Sequence, residues 1–200
     1  MPETTPEPAT PKGRRTRLAM VEAAAALMYE RGIAATTVDE ILAASGTGKS
    51  QLYHYFGGKQ AVVIAVLRYQ FERVMGAQPA LTDESCSDPG RWRAEVLAAH
   101  RAHGFGSCPL GVFAGQVDSE PALRAVLATL FDRWQAAIAA LLRRATAAGR
   151  LPAATDADTG GLVLLGALQG GTLLSHLRGK PRPLADALDH ALAELGYSPA

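Results

Sequence analysis

The chain is poor in several things, and each shortage excludes something. It has two cysteines in 200 residues, Cys86 and Cys108. Two thiols at that separation make neither a metal-type cluster nor a disulfide framework, so both are expected as reduced thiols in a cytoplasmic protein. Aromatic residues make up only 6%. The charges nearly cancel, to +1, which excludes a globally basic nucleic-acid coat and an acidic disordered tail. Any binding to nucleic acid must therefore come from a local patch. Lys12 to Lys59 supplies one, with seven basic residues against four acidic, and Arg14, Arg15 and Arg17 fall within four positions. The longest uncharged apolar stretch, Gly160 to Ser175, is shorter than the roughly 20 residues of a membrane span and is interrupted by glycines, Gln169 and Thr172. It reads as a buried helix at a protein interface, with no membrane partner. Met1 to Pro11 is rich in Pro, Thr and Glu and lacks the basic-then-apolar order of a signal peptide, so residues 1–12 are expected as a disordered tail.

What is present is helix. No run alternates as a strand does, and alanine, the best intrinsic helix former, is abundant. Apolar spacing predicts helices over Arg14–Glu30, Val38–Ala44, Lys49–Tyr55, Lys59–Gly76 and Gly90–His103. An irregular segment, Gly104–Gly115, precedes a long helix with Pro121 in its first turn and an apolar stripe from Leu123 to Leu142. Two more helices run from near Asp156 to Gly179 and from Leu184 to Leu195. Gln78 to Pro89 has the composition of a loop.

The informative stretch is Thr36 to Phe56, TTVDEILAASGTGKSQLYHYF. Two short helices joined by a tight glycine-containing turn form a helix-turn-helix, whose second helix lies in the major groove of DNA. Lys49, Ser50 and Gln51 begin that second helix, where side chains first reach base edges. Glutamine can bond adenine through two hydrogen bonds, and lysine can bond guanine or a phosphate. Tyr53 and His54 carry polar tips that reach phosphates, whereas Leu52, Tyr55 and Phe56 face inward. Thr37, Thr47, Lys59 and the three arginines complete the expected DNA contacts.

These residues carry a resemblance. TTVDEILAASGTGKSQLYHYFGGKQAV is similar to the DNA-binding signature of the TetR family of regulators: a Thr-capped helix, a glycine turn, Leu-Tyr-His-Tyr-Phe, then a lysine after a short break. The likeness covers Arg14 to about Arg68. GSCPLGVFAGQV, Gly106 to Val117, resembles a segment of the lincomycin-resistance and YxaF-like repressors within that family. Thr47-Gly48 stands where many members have Val-Ser, and Ser50 and Gln51 also differ from the commoner residues, so no operator sequence is carried over.

The resemblance implies an all-α fold of about nine helices. A three-helix helix-turn-helix domain would occupy residues 13–58, and a ligand-binding and dimerisation domain residues 59–200. It implies a dimeric repressor released from operator DNA by a small apolar effector. Phe71, Met75, Trp92, Val96, Phe113, Phe131 and Trp134 lie on helices that surround the ligand cavity in such proteins, with Gln135, His100 or Gln169 as polar anchors. The helix after Asp156 is apolar almost all round, too apolar to face water. With the last helix it would form a four-helix dimer interface through Leu162, Leu165, Gln169, Leu173, Leu188 and Leu192. A two-fold dimer would read a palindromic operator of two half-sites about 34–36 Å apart.

Rival chemistries fit less well. GTGKS suggests a phosphate-binding loop, but the pattern needs glycine at the position of Ala43, and a helix precedes it instead of a strand. His100 and His103 have a metal-compatible spacing without a third ligand nearby, so no metal is expected. No nucleophile elbow places a catalytic triad, and neither an enzyme nor a cofactor is expected. A DNA-binding protein with no ligand is the remaining alternative.

Overall fold

The protein is described by a computed structural model that covers residues 8–198. Part of the expected N-terminal tail, residues 1–7, lies outside the described residues. Among the described residues there are eight α-helices, two short 3-10 segments and no strand. The helices are α1 (Pro11–Arg31), α2 (Val38–Ser45), α3 (Lys49–Phe56), α4 (Lys59–Gly76), α5 (Pro89–Ala102), α6 (Pro121–Ala147), α7 (Ala157–Arg178) and α8 (Arg182–Glu194). The 3-10 segments are Pro79–Leu81 and Gly111–Gln116. The all-helical expectation holds.

Packing groups the chain into two compact units. One comprises residues up to Glu72 with Val112–Ala128, and the other Arg73–Gly111 with Thr129–Ala200. The division falls inside α4 and α6, so each of those helices contributes residues to both units. The sequence split at residues 58 and 59 followed the motif; the packing split falls later, because the apolar start of α4 (Val62, Val63, Val66 and Leu67, all buried) belongs with the first unit.

In the first unit, α1 starts at Pro11, inside the stretch expected as tail. Thr10 caps it by accepting from the Gly13 N–H at 3.1 Å, and Pro11, with its preset φ, begins the helix. Its inner face is Met20, Val21, Ala24, Ala25 and Met28. Thr37 and Glu40 form a reciprocal cap on α2: the Glu40 N–H donates to Thr37 Oγ1 at 3.3 Å, and the Thr37 N–H donates to Glu40 Oε2 at 2.8 Å. These hydrogen bonds hold the Glu40 carboxyl below its usual pKa. Gly46 closes α2 in the left-handed region at φ 63°, which a side chain would resist. Gln116 ties the second chain segment of this unit to the end of α1, its Oε1 accepting from the Ile33 N–H at 2.7 Å.

In the second unit α7 and α8 pack along their length. Leu164, Leu165 and Leu168 of α7 and Leu184, Leu188 and Leu192 of α8 are buried, and the Leu184 N–H donates to Ser175 Oγ at 3.0 Å. Asp156 caps α7, accepting from the N–H groups of Asp158 and Thr159. Arg144 of α6 pins the connection before α5 by donating to the carbonyls of Ala80 and Cys86. By length and composition α6 and α7 are each apolar enough to cross a membrane, α7 being longer than the uncharged stretch alone indicated. Each buries a stripe inside the fold, as core helices of the same composition do.

The backbone of α7 comes close to its neighbours at two glycines. A Cβ at Gly171 would lie 2.8 Å from the Leu184 Cα, and one at Gly161 would lie 2.9 Å from the Gln135 carbonyl oxygen. Gly171→Ala is therefore expected to destabilise the protein by about 1–3 kcal/mol, read as a lowered denaturation midpoint.

Candidate nucleic-acid interface and ligand cavity

The eight residues of α3 are too few for an independent helix, so anchoring must come from packing. Leu52 and Phe56, four residues apart, are buried and supply it. The opposite side is then forced outward: Lys49, Ser50, Gln51, Tyr53 and His54 are all exposed, Tyr53 by 49%. Tyr55 is half-buried, with its hydroxyl close to Gly13. The inward and outward residues fall as the sequence indicated.

Local bonding adds detail that spacing did not show. Gly48 has no side chain to cap α3, and Gln51 reaches back instead, its Oε1 accepting from the Gly48 N–H at 3.0 Å. Thr37 is occupied by its cap with Glu40. Thr47 Oγ1 lies 2.6 Å from Ser45 Oγ. Arg14 donates to the carbonyls of Pro8 and Ala9, bracing the entry to α1. The Arg17 guanidinium lies over the Phe56 ring, 4.9 Å from its centroid, a cation–π contact that ties α1 to α3. Arg15 is exposed, and Lys59, the first residue of α4, is half-buried. The phosphate-loop rival loses its structural setting, since α2 precedes GTGKS and no strand occurs among the described residues.

The second unit contains a cavity of about 120 Å³. Its wall combines the end of α4 (Arg73, Val74), Ala77 and Gln78 after it, α5 (Val96, Ala99, His100), His103, the loop Gly106–Pro109, and Trp134, Leu168, Thr172 and Leu184. Of the ten pocket residues expected from the sequence, Val96, His100 and Trp134 line it. The other seven do not. Phe113 and Phe71 are buried in the first unit. Trp92 is fully buried behind Gln78, and Met75 and Phe131 are half-buried outside the wall, Phe131 against Trp134 at 6.0 Å. Gln135 donates to the Asp158 carbonyl and Gln169 to Cys108 Sγ.

Gln78, which composition placed in a loop, organises this wall. Its Oε1 accepts from both tryptophans of the chain, Trp92 Nε1 at 2.7 Å and Trp134 Nε1 at 3.3 Å, and its Nε2 donates to the Val74 carbonyl. The signal available in the sequence was a polar residue just before Pro79, which is not distinctive. Cys108 was missed as a wall residue too. Its thiol accepts from the Gly111 N–H at 3.2 Å, and burial pushes its pKa up. His100 is buried and its Nε2 has no hydrogen-bond partner. Desolvation first, then His103 and His176, hold the imidazole below its usual pKa.

The expected dimer residues separate into two groups. Leu165, Leu188 and Leu192 are buried core residues of the unit and are corrected from interface to interior. Gln169 is half-buried and donates to Cys108 Sγ. Leu162 and Leu173 are exposed, and so are Val163, Leu174 and Leu177, the last by 70%. These five, with exposed Gly166 and Gly170, form an apolar outer face on α7.

Comparison with known proteins fits this arrangement. Residues 20–66 match the family described as bacterial regulatory proteins, tetR family, and residues 84–191 match the tetracyclin repressor-like C-terminal domain. The chain belongs to the TetR family. This TetR-family protein is 30% identical to the transcriptional regulator AcuR of Cereibacter sphaeroides over 78% of its own length and 74% of that protein. It is similar to the crystal structure of a regulatory protein TetR from Rhodobacter sphaeroides, with a TM-score of 0.76 and 26% identity over 88% of this chain and 96% of that one. Its fold is also similar to that of SmeT in complex with triclosan, with a TM-score of 0.72 and 22% identity over 90% of each chain. As a TetR-family member it is a DNA-binding transcriptional regulator and not an enzyme.

Replacing Gln78 with leucine leaves two buried indole N–H groups, those of Trp92 and Trp134, without their acceptor. Gln78→Leu is expected to lower unfolding free energy by about 1–3 kcal/mol and to shift tryptophan emission in the native state, both read from a denaturant titration followed by fluorescence.

Proposed function

We propose that this regulator is a homodimeric repressor. Its two α3 helices read a palindromic operator, and a small molecule held in the second unit's cavity releases it from DNA. The observation that carries the reading is the outward face of α3, where Lys49, Ser50, Gln51, Tyr53 and His54 stand exposed on a helix anchored by Leu52 and Phe56. Lys49, Ser50 and the Gln51 amide Nε2 contact base edges, while Tyr53, His54, Lys59 and Arg15 contact phosphates. Arg14 and Arg17, already engaged with the Pro8 and Ala9 carbonyls and with Phe56, add positive potential near the backbone. Thr37 and Thr47 act through the caps and turn that orient α3.

A single recognition helix spans too few base pairs for strong specificity, and a two-fold dimer doubles the site. The outer face of α7 supplies its contact surface. Signal passes along α4, which contributes residues on either side of Glu72 to the two units and places Arg73 and Val74 in the cavity wall. The effector need only prefer the conformation that does not bind DNA, and coupling of about 1–3 kcal/mol is ordinary for such a switch.

A gel-shift assay with the DNA upstream of the gene tests the reading. A sequence-preferring complex that weakens steeply with salt is expected, and its absence under all conditions overturns the proposal. Lys49→Ala should weaken binding and lower the slope of log affinity against log salt by about one if it contacts a phosphate. Leu173→Glu places a charge on the outer face of α7. It should leave the fold intact by circular dichroism while converting dimer to monomer in sedimentation and abolishing operator binding.

A further inference from the structure

The cavity wall has an uneven charge inventory. Arg73, His100 and His103 contribute basic side chains, and no aspartate or glutamate lines it. Cys108 adds no negative charge, since burial keeps its thiol protonated. The remaining wall is largely apolar, chiefly Val74, Val96, Pro109, Trp134 and Leu168.

At the centre of this inventory is a polar group without a partner. His100 is only 8% exposed, yet its Nε2 meets no acceptor or donor. A buried ring nitrogen in that condition is an exception that needs an explanation, and an acceptor group on a bound molecule would supply one. The covering structure is itself strained. Phe105 packs against the His100 ring in a tilted arrangement, centroids 5.5 Å apart, and sits at φ 60°, the one non-glycine residue in the left-handed region among those described. Such strain persists only where surroundings hold it, and it gathers at ligand sites. Here His176 Nδ1 meets the Phe105 carbonyl at 3.2 Å and links the loop to α7.

We propose that the cavity selects a small organic anion, a carboxylate on a short apolar body, and that His100 takes up a proton from solvent as the anion binds. The proposal rests on the reading of this cavity as the effector site. The carboxylate accepts from His100 Nε2–H, with Arg73 and His103 also in the wall, while the apolar body packs on Val96, Trp134 and Leu168. The titratable groups that act on His100 are His103 after α5 and His176 from α7; Arg73 from α4 and Cys108 from the loop stand elsewhere in the cavity wall, and no acid lines it.

The sign of the pH dependence follows. Without an anion, burial and the neighbouring histidines hold the His100 pKa below its ordinary value of 6.5. A bound carboxylate raises it. Affinity is then highest below the free-state pKa. It falls by up to about tenfold per pH unit as pH rises to the bound-state pKa, and levels off above it.

The test compares carboxylates with their neutral amides: acetate, butyrate and benzoate against acetamide, butyramide and benzamide. The full chain is titrated between about pH 6 and pH 8, across the range where histidine changes charge, with tryptophan fluorescence as the readout. Calorimetry in two buffers of different ionisation heat counts protons. Expected are tighter carboxylate binding at the acid end, uptake approaching one proton, and weaker, pH-independent binding of the amides. His100→Gln should remove both the slope and the proton uptake, whereas His103→Gln should keep a slope. Wild-type protein that binds amides as well as carboxylates, or binds carboxylates with no pH slope, or binds none of the carboxylates at the acid end, overturns the proposal. A gel shift on the same preparation separates this from the regulator reading: operator binding that persists while the carboxylates fail sinks only the ligand class, and absent operator binding sinks the regulator.

Discussion

An eight-residue helix cannot hold itself together in water, and the reading head depends on how α3 escapes that limit. Leu52 and Phe56 bury one side of it, and burial of two large side chains is worth several kcal/mol, on the order of 1.5–3 each. Arg17 of α1 lies over Phe56 and closes the contact from the other side. Because the two anchors are four residues apart, Lys49, Ser50, Tyr53 and His54 have no option but solvent. The same two apolar residues thus fix both the stability of the helix and the direction of its polar face. Gly48 leaves the N-terminus of α3 without a side-chain cap, and Gln51 compensates from within the helix.

The second unit depends on a different device. Two tryptophans, Trp92 and Trp134, are buried there, and each brings an indole N–H that must find an acceptor. A single amide, Gln78, serves both, while its own nitrogen bonds the last turn of α4 through Val74. Three helices, α4, α5 and α6, are thereby tied at one side chain. Gln78 also lines the cavity, so any occupant touches the group that joins them.

The head was legible in sequence because its determinants are local. Thr37 with Glu40, the glycine turn at Gly46 to Gly48 and the spacing of Leu52 and Phe56 all lie within a few residues of one another, and the family signature is continuous. The cavity was not legible to the same degree. A wall is assembled from side chains far apart in sequence, and an apolar stripe does not say which of its members touch a void and which touch each other. Trp134 and Val96 line the cavity; Trp92 and Phe113, equally apolar and equally helical, are filled core. Polar wall residues such as Gln78 and Cys108 carry no periodic signal at all. The start of α1 was missed for a smaller reason: Thr10 and Pro11 look like a tail by composition, yet form a cap and a first turn.

The dimer residues show where periodicity alone misleads and what corrects it. A helix apolar all round has two candidate faces, and the sequence does not rank them. The glycines do, once the backbone is in place. Gly161 and Gly171 sit where a Cβ would strike the backbone of α6 or α8, so their smallness is explained inside the subunit. Gly166 and Gly170 meet nothing within 4 Å, and each weakens α7 by up to about 1 kcal/mol relative to alanine with no internal compensation. Both lie on the side that also exposes Leu162, Leu173 and Leu177. In the proposed dimer these costs acquire a reason, because a partner helix approaching across bare glycine can bring its backbone close and cover the leucines beside it. The inner glycines belong to the fold of one chain, and the outer pair finds its reason in the proposed dimer.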